Sequence, residues 1–294
     1  MTGPAPRRTP ALGVWIRCAG LGGALVLSPA ALAGPVERLD LPVRTPVYRV
    51  PDGATLADAR YAYSLRWAGL VVGHAAVTLR SQPDAGALAL DLRGGTHPAI
   101  DWLYRYRVRA RGRVATAPFA PDHFVIEQCE RGRHERTEIR FPAGGSEVRS
   151  TRERKGRVRR FAFDSDNTFD IPSATFLLLS LDYAPGARYE LDTFTGKDRH
   201  LLLAEVERIE RIEAAGATHD AWRLRLETRH LTNARDRGKH RETTVWVSAE
   251  RPRHILHARS ETFVGALTLE LEGRVDGAAS ASATAAVAPN ARCG

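Results

Sequence analysis

Along most of this chain the apolar side chains fall at every second residue, and that spacing leaves few folds open. Residues two apart share one face of an extended strand, whereas a helix needs a repeat near 3.6. Tyr61, Tyr63, Leu65 and Trp67 form one such set. Ala75, Val77 and Leu79 form the next, beyond the turn-prone stretch from Gly69 to Gly73. Leu88, Leu90 and Leu92 repeat the pattern, as do Tyr104, Tyr106, Val108 and Ala110. It returns in Trp222, Leu224 and Leu226, in Thr243, Val245 and Val247, and in Leu267, Leu269 and Leu271. Turn formers separate the runs at Asp84-Ala85-Gly86, Gly94-Gly95, Pro142-Ala143-Gly144-Gly145, Ala215-Gly216 and Arg237-Gly238. Short strands spaced in this way predict an all-β, mainly antiparallel domain over residues 55–276, as a curved sheet, an open barrel or a sandwich. No alternation of strand with helix supports a parallel sheet.

One segment departs from the rule. Asp170-Ile171-Pro172-Ser173 precedes the run Ala174-Thr175-Phe176-Leu177-Leu178-Leu179-Ser180-Leu181. An Asp followed by Pro at an early helical position is a start signal. The run is apolar all round, so it belongs in an interior rather than on a surface. A short buried helix near residues 171–182, plugging or closing the sheet, fits these features. A buried strand is the competing reading, because periodicity does not separate the two at this length.

Arg7, Arg8 and Arg17 precede a short apolar run from Ala19 to Leu27 and the small-residue site Ala31-Leu32-Ala33. This is the layout of a secretory signal peptide over residues 1–33, and it predicts a periplasmic protein. Cleavage after Ala33 would leave 261 residues with Cys129 and Cys293 as the remaining thiols. In an oxidising compartment the two can pair, tying the C-terminal tail to the domain. The other reading makes Cys129 a small buried hydrophobe and Cys293 a free thiol. Residues 34–54, with Pro35, Pro42, Pro46 and Pro51, read as an extended arm. Residues 277–294 are mostly Ala and Ser and read as a disordered tail.

The chain carries a formal net charge of +9, with 43 Lys and Arg against 34 acids. Residues 104–160 hold 16 cations and 7 acids, so the positive balance is local. Its centre is a ladder, Arg105, Arg107, Arg109, Arg111 and Arg113, whose spacing sends all five to one strand face. Such a face could bind an anionic partner: lipid, lipopolysaccharide or a wall polymer. Alternatively it is a solvated sheet face, with Glu127, Glu130, Glu135 and Glu138 paired across strands. Nucleic acid is not expected, since the chain is exported and no nucleic-acid-binding motif occurs.

No G-x-S-x-G elbow, S-x-x-K pair or Gly-rich phosphate loop is present, so no catalytic residue is assigned and no enzyme is expected. The ten histidines lack metal-ligand clustering, and Asp164, Asp166 and Asp170 fail the calcium-loop rule at Phe169 and Thr175. Neither a metal nor a cofactor is therefore expected. Tyr61, Trp67, Trp102, Trp222 and Trp246 are large anchors that either belong to the core or line a pocket.

The order of landmarks adds to this. Tyr61-x-Tyr63 and Trp67-Ala68-Gly69 lead into Val72-Gly73-His74-Ala75, followed by Trp102 and Tyr104-x-Tyr106. Asp170-Ile171-Pro172-Ser173 comes next, then Val245-Trp246-Val247-Ser248, Arg251-Pro252-Arg253, and Gly265 before Leu267-x-Leu269-x-Leu271. Over about residues 58–273 this arrangement resembles the domain-of-unknown-function 3108 family of exported Gram-negative proteins. It departs after Ser248, where Ala249-Glu250 stands in place of an acidic pair. The resemblance implies an exported antiparallel β domain and supplies no catalytic residue. Together these features lead to the expectation of a non-enzymatic carrier or binding domain for an amphipathic or anionic envelope component. The alternative is an assembly protein that docks on another envelope protein.

Overall fold

The computed structural model describes residues 35–39, 58–141, 146–232, 240–262 and 265–277. The expected signal peptide, most of the arm and all but Gly277 of the tail lie outside the described residues. From the N-terminal side the strands are β1 (Val36–Arg38), β2 (Ala59–Trp67), β3 (Leu70–Gln82), β4 (Ala87–Thr96), β5 (Tyr106–Thr116), β6 (Phe119–Glu130), β7 (Arg133–Arg140), β8 (Glu147–Arg154) and β9 (Arg157–Asp164). Then follow β10 (Thr168–Phe169), α1 (Ile171–Ser180), β11 (Arg188–Phe194), β12 (Arg199–Ala214), β13 (Ala217–His230), β14 (His240–Ser248), β15 (Ile255–Thr262) and β16 (Gly265–Asp276).

All sixteen strands among the described residues belong to one sheet, ordered β1-β9-β8-β7-β6-β5-β4-β3-β2-β16-β15-β14-β13-β12-β11-β10. Strands β2 to β9 form one up-and-down meander and β11 to β16 another, so most neighbours in space are neighbours in sequence. The antiparallel pairing of β16 with β2 joins the two halves. The parallel pairs are the short edge additions, β1 on β9 and β10 on β11.

Side chains bring the distant ends of this sheet together. Phe163 of β9 meets Phe194 of β11 edge-on at 4.9 Å, and the Arg199 guanidinium lies 4.5 Å from the Phe163 ring centre. Ser150 Oγ of β8 donates to the Gly196 carbonyl at 2.6 Å. Gly196 has φ +90°, and a Cβ there would fall 2.1 Å from the Thr137 methyl of β7, so only glycine fits this contact. The sheet is thus curved and barrel-like, closed by packing rather than by a backbone ladder.

The run after Asp170 is the helix and not the strand. The Asp170 carboxylate accepts from the Ser173 amide at 2.9 Å and from Ser173 Oγ at 2.7 Å, and Pro172 occupies the first turn where its missing N–H costs nothing. Phe176, Leu177, Leu178 and Leu179 are all buried, and α1 packs against β6, β10 and β11. One hydrophobic core joins these side chains to Leu79, Leu90, Ala110, Phe124, Ile139, Val148, Leu224 and Val247 of the sheet.

Two expectations change here. Gly94-Gly95 is no turn but part of β4, held there by close approach. A Cβ on Gly95 would lie 2.7 Å from the Tyr106 carbonyl oxygen and 2.8 Å from Arg107 Cδ. The set Tyr61, Tyr63, Leu65, Trp67 does not remain core throughout. Tyr61 and Tyr63 are buried, but a bulge follows Leu65 and Trp67 stands 40% exposed at the hairpin tip.

Candidate functional site

Strand β5 carries Arg107, Arg109, Arg111 and Arg113 of the ladder, alternating with Val108, Ala110 and Val114, while Arg105 lies in the segment before the strand. The ladder does not form a bare cationic surface. Arg107 is buried, and its Nη1 donates to Asp101 at 2.9 Å and to the Thr96 carbonyl at 3.1 Å. The hydrogen bonds from Arg107 hold the Asp101 carboxyl below its usual range, against the opposing effect of burial. Arg109 lies 3.5 Å from Asp91 and Arg113 lies 3.1 Å from Asp122. Arg105 is half-buried, and Arg111 is exposed with no ion-pair partner among the described residues.

The same compensation continues across the neighbouring strands. Arg136 reaches Glu127 at 3.4 Å and Glu138 at 2.9 Å, and Arg140 reaches Glu138 at 2.7 Å. Glu135 is shared by Arg152 at 2.7 Å and Arg154 at 3.3 Å. Glu127 with Arg136 and Glu135 with Arg152 and Arg154 are cross-strand pairs of the kind the sequence offered as its second reading. Arg136 and Arg140 instead meet Glu138 along its own strand β7, and Glu130 accepts from Tyr104. The exposed pairs are worth only ~0–1 kcal/mol each.

A cluster of cations without carboxylate partners among the described residues lies elsewhere, at the ends of two adjacent hairpins. Arg131-Gly132 joins β6 to β7, and Lys155-Gly156 joins β8 to β9. In both turns the two residues have positive φ (50° and 76°, 53° and 71°), the geometry of tight hairpin turns that follow strand twist. Arg131, Arg133, Lys155 and Arg157 are all exposed there, and none has a carboxylate partner among the described residues. The register places the tips side by side, since Arg154 pairs with Glu135 one turn from each.

The segment between β4 and β5 packs onto this tip. The Arg131 amide donates to the Arg105 carbonyl at 2.9 Å, and the Arg131 guanidinium lies 5.2 Å from the Tyr104 ring centre. Tyr104 donates its hydroxyl to Glu130 at 2.7 Å. Burial and that bond push the phenol up to about 12.

The five aromatic candidates do not converge on one pocket. Tyr61 is buried and stacks on His254 at 5.5 Å, while Trp222 meets Tyr183 edge-on at 5.9 Å beside the core. Trp246 is partly buried and packs against the core between Val245 and Val247. It stacks on His257 at 4.8 Å and donates to Glu210. Trp67 and Trp102 are exposed, Trp102 by 84%.

Two landmarks that looked separate in the sequence belong to one device. Asp170 caps the start of α1, while Arg251 donates from beyond β14 to the Ser180 carbonyl at 3.1 Å and the Leu181 carbonyl at 3.4 Å. Arg253 also donates to the Leu181 carbonyl and lies 4.1 Å from the Tyr183 ring centre. Cations at a helix C-terminus satisfy its free carbonyls and oppose its dipole. Nothing in the spacing of the chain signals this contact, because Arg253 lies 72 residues from Leu181.

Behind that clamp lies an open cleft of about 690 Å3, lined by Arg211, Asp220, Ser248, Arg251, His254 and Arg274 among others. Ser248 Oγ is 3.1 Å from His254 Nδ1. Burial, with Arg274 nearby, lowers His254 to about 4, so the ring is neutral at pH 7. The ring also bonds the Pro252 backbone and lies 3.4 Å from Arg274 Nη1, and the His254 amide donates to Ser248 Oγ at 3.0 Å, so the pair secures the turn before β15. A second open cleft, about 350 Å3, is lined by charged side chains including Arg188, Glu205, Arg225 and Glu242.

Cys129 is buried and disulfide-bonded, so it is not a free thiol, and Cys18 and Cys293 lie outside the described residues. Among the described residues no three His, Cys, Asp or Glu side chains are grouped to hold a metal ion, and no helix is long and apolar enough to cross a membrane.

The profile of the family described as "Protein of unknown function (DUF3108)" matches residues 62–272. No curated protein matches the chain in sequence. A solved β-barrel-like protein of the domain of unknown function DUF1849 from Brucella abortus superposes with a TM-score of 0.56 at 8% identity, covering 76% of this chain and 99% of that one. It bears on the fold alone. A candidate lipoprotein from Parabacteroides distasonis aligns over 78% of this chain and 97% of its own, at 8% identity and a TM-score of 0.29. A candidate exported protein from Bacteroides fragilis does so over 75% and 97%, at 8% and 0.30. Those two scores are too low to carry an argument.

Proposed function

The chain belongs to the DUF3108 family of proteins of unknown function, and from that premise we propose that it is an exported, non-enzymatic binding domain for an anionic, amphipathic component of the cell envelope. The observation that carries this reading is the set of four exposed cations, Arg131, Arg133, Lys155 and Arg157, on two neighbouring hairpin tips, none with a carboxylate partner among the described residues. The arginine ladder beside them is largely neutralised by its own carboxylates and serves the sheet. In this reading binding is at the surface, where the cations lie, while α1 and the Phe163–Phe194 contact pack into the core of the sheet. The signal-like layout of Arg7, Arg8, Arg17 and Ala31-Leu32-Ala33 supports a periplasmic location. Docking through a sheet edge is less favoured, since β1 and β10 span three and two residues and present little free backbone.

The test replaces Arg131, Arg133, Lys155 and Arg157 together by Ser. Binding is compared on phosphatidylglycerol vesicles, on phosphatidylcholine vesicles and on soluble lipopolysaccharide fragments. A basic side chain near an anionic surface contributes ~1 kcal/mol, so the four together are worth roughly three orders of magnitude at low salt. The loss should shrink as salt rises. An Arg111→Ser control should bind like wild type. Equal binding by the fourfold variant and wild type would sink the proposal.

A further inference from the structure

The cationic tips share a rim with the most exposed apolar side chains of the described chain, and we infer that this rim docks on the surface of an anionic lipid bilayer, with Trp102, Leu103 and Leu70 entering the headgroup layer. The inference rests on the anion-binding reading above and names its partner as a lamellar lipid surface rather than a soluble anion.

Trp102 is 84% exposed, Leu70 71% and Leu103 58%, with Trp67 at 40% beside them. Single exposed apolar residues need no explanation, but several gathered on one edge do. Continuity of the edge follows from the backbone. The His97 amide donates to the Val72 carbonyl at 2.8 Å, which ties residues 97–105 to the β2–β3 hairpin carrying Trp67 and Leu70. On its other side the same segment is tied to Arg131 through the Arg105 carbonyl. The β8–β9 tip lies next in order. The rim therefore runs from Leu70 through Trp102 to Arg131 and Lys155 without a break.

Trp102 and Leu103 are held out in this way by a built support. The Leu103 and Tyr104 amides both donate to the Ile100 carbonyl, at 2.9 and 3.0 Å. Asp101, the residue before Trp102, is anchored to buried Arg107 and accepts from Thr96 Oγ1 at 2.7 Å. Gly95 leaves the space that Arg107 occupies. A loop fixed before binding loses little freedom on binding, so its apolar side chains contribute more of their transfer free energy. Arg107 is thus a positioning residue for the rim.

The mixture of side chains selects the partner. Trp and Tyr have an apolar body and a polar tip and suit the headgroup level, while the leucines reach deeper. Lys and Arg at the same level meet anionic headgroups and adsorb from the water side. A purely aqueous polyanion would use the cations and leave Trp102, Leu103 and Leu70 without a role.

The experiment compares three proteins: wild type, the fourfold cation variant, and Leu70→Ser/Trp102→Ser/Leu103→Ser. Each is measured by flotation with phosphatidylglycerol-containing vesicles and by titration with soluble polyphosphate. The apolar variant should lose about tenfold or more in vesicle affinity for each leucine removed and keep its polyphosphate affinity. The cation variant should lose both. Acyl-chain-brominated lipids should quench wild-type tryptophan emission, and Trp102→Ser should abolish most of that quenching. Trp102→Phe/Leu103→Ile should restore vesicle binding, which separates insertion from misfolding. If the apolar variant binds vesicles like wild type while the cation variant does not, the bilayer inference fails and the anion-binding reading stands. If neither variant loses binding, both fail.

Discussion

Asp170 is buried, and desolvation pushes its carboxyl from an ordinary 3.8 up to about 6, against the pull of its two bonds from Ser173. Because the folded state holds this proton more tightly than the unfolded chain, the stability it contributes is fullest below about pH 4. It is lost as pH rises through about 6. At about 1.4 kcal/mol per unit of pKa, the displacement amounts to about 3 kcal/mol between those limits. Asp170→Asn keeps the acceptor for the Ser173 amide and removes the titration. Its unfolding free energy minus that of wild type should therefore rise by about 3 kcal/mol from pH 4 to pH 7. Taking the difference cancels carboxylates that act in the opposite sense, such as Asp101 and Glu138, whose arginine bonds lower them. Asp170→Ala behaves differently near pH 4. It loses the cap, ~1 kcal/mol, and strands the buried Ser173 hydroxyl, ~1–3 kcal/mol, for a total of about 2–4 kcal/mol. Urea denaturation followed by far-ultraviolet circular dichroism at several pH values measures all three. A constant offset between Asp170→Asn and wild type across that range would refute the reasoning.

The other end of the helix gives a companion test. Arg253→Ala removes a charged donor to the Leu181 carbonyl and the contact with Tyr183, and should cost about 2–4 kcal/mol in the same assay. A loss below about 0.5 kcal/mol would mean that the clamp is dispensable. The disulfide makes a chemical prediction. In the protein lacking residues 1–33, Cys129 and Cys293 are the remaining cysteines, so thiol titration in denaturant should find none until a reductant is added. Cys293→Ser should expose one free thiol, and an unchanged count would show that Cys129 pairs otherwise.

Much of the fold was legible because alternation is a local property. Leu88, Leu90 and Ala110 face inward wherever the strand lies in the sheet, so their spacing alone identified the core face. The helix was legible for the same reason, since its cap and its apolar run are contiguous from Asp170 to Leu181. The site was less so. Four arginines of the ladder alternate along β5 and Arg105 precedes it, yet spacing cannot reveal that Asp91, Asp101 and Asp122 meet three of the five. Trp102 and Trp67 looked like core anchors by residue type, and their positions at loop and hairpin ends put them on the rim instead.

The sequence by itself determined the class of fold, the position of the buried apolar segment after Asp170 and the local excess of positive charge, because each depends on neighbours along the chain. Tertiary structure alone decided which cations remain free. Ion pairing, burial and the shared rim of β2–β3, the β4–β5 segment, β6–β7 and β8–β9 depend on residues far apart in sequence. Only strand register brings them within the few ångströms over which charges cancel and apolar side chains gather.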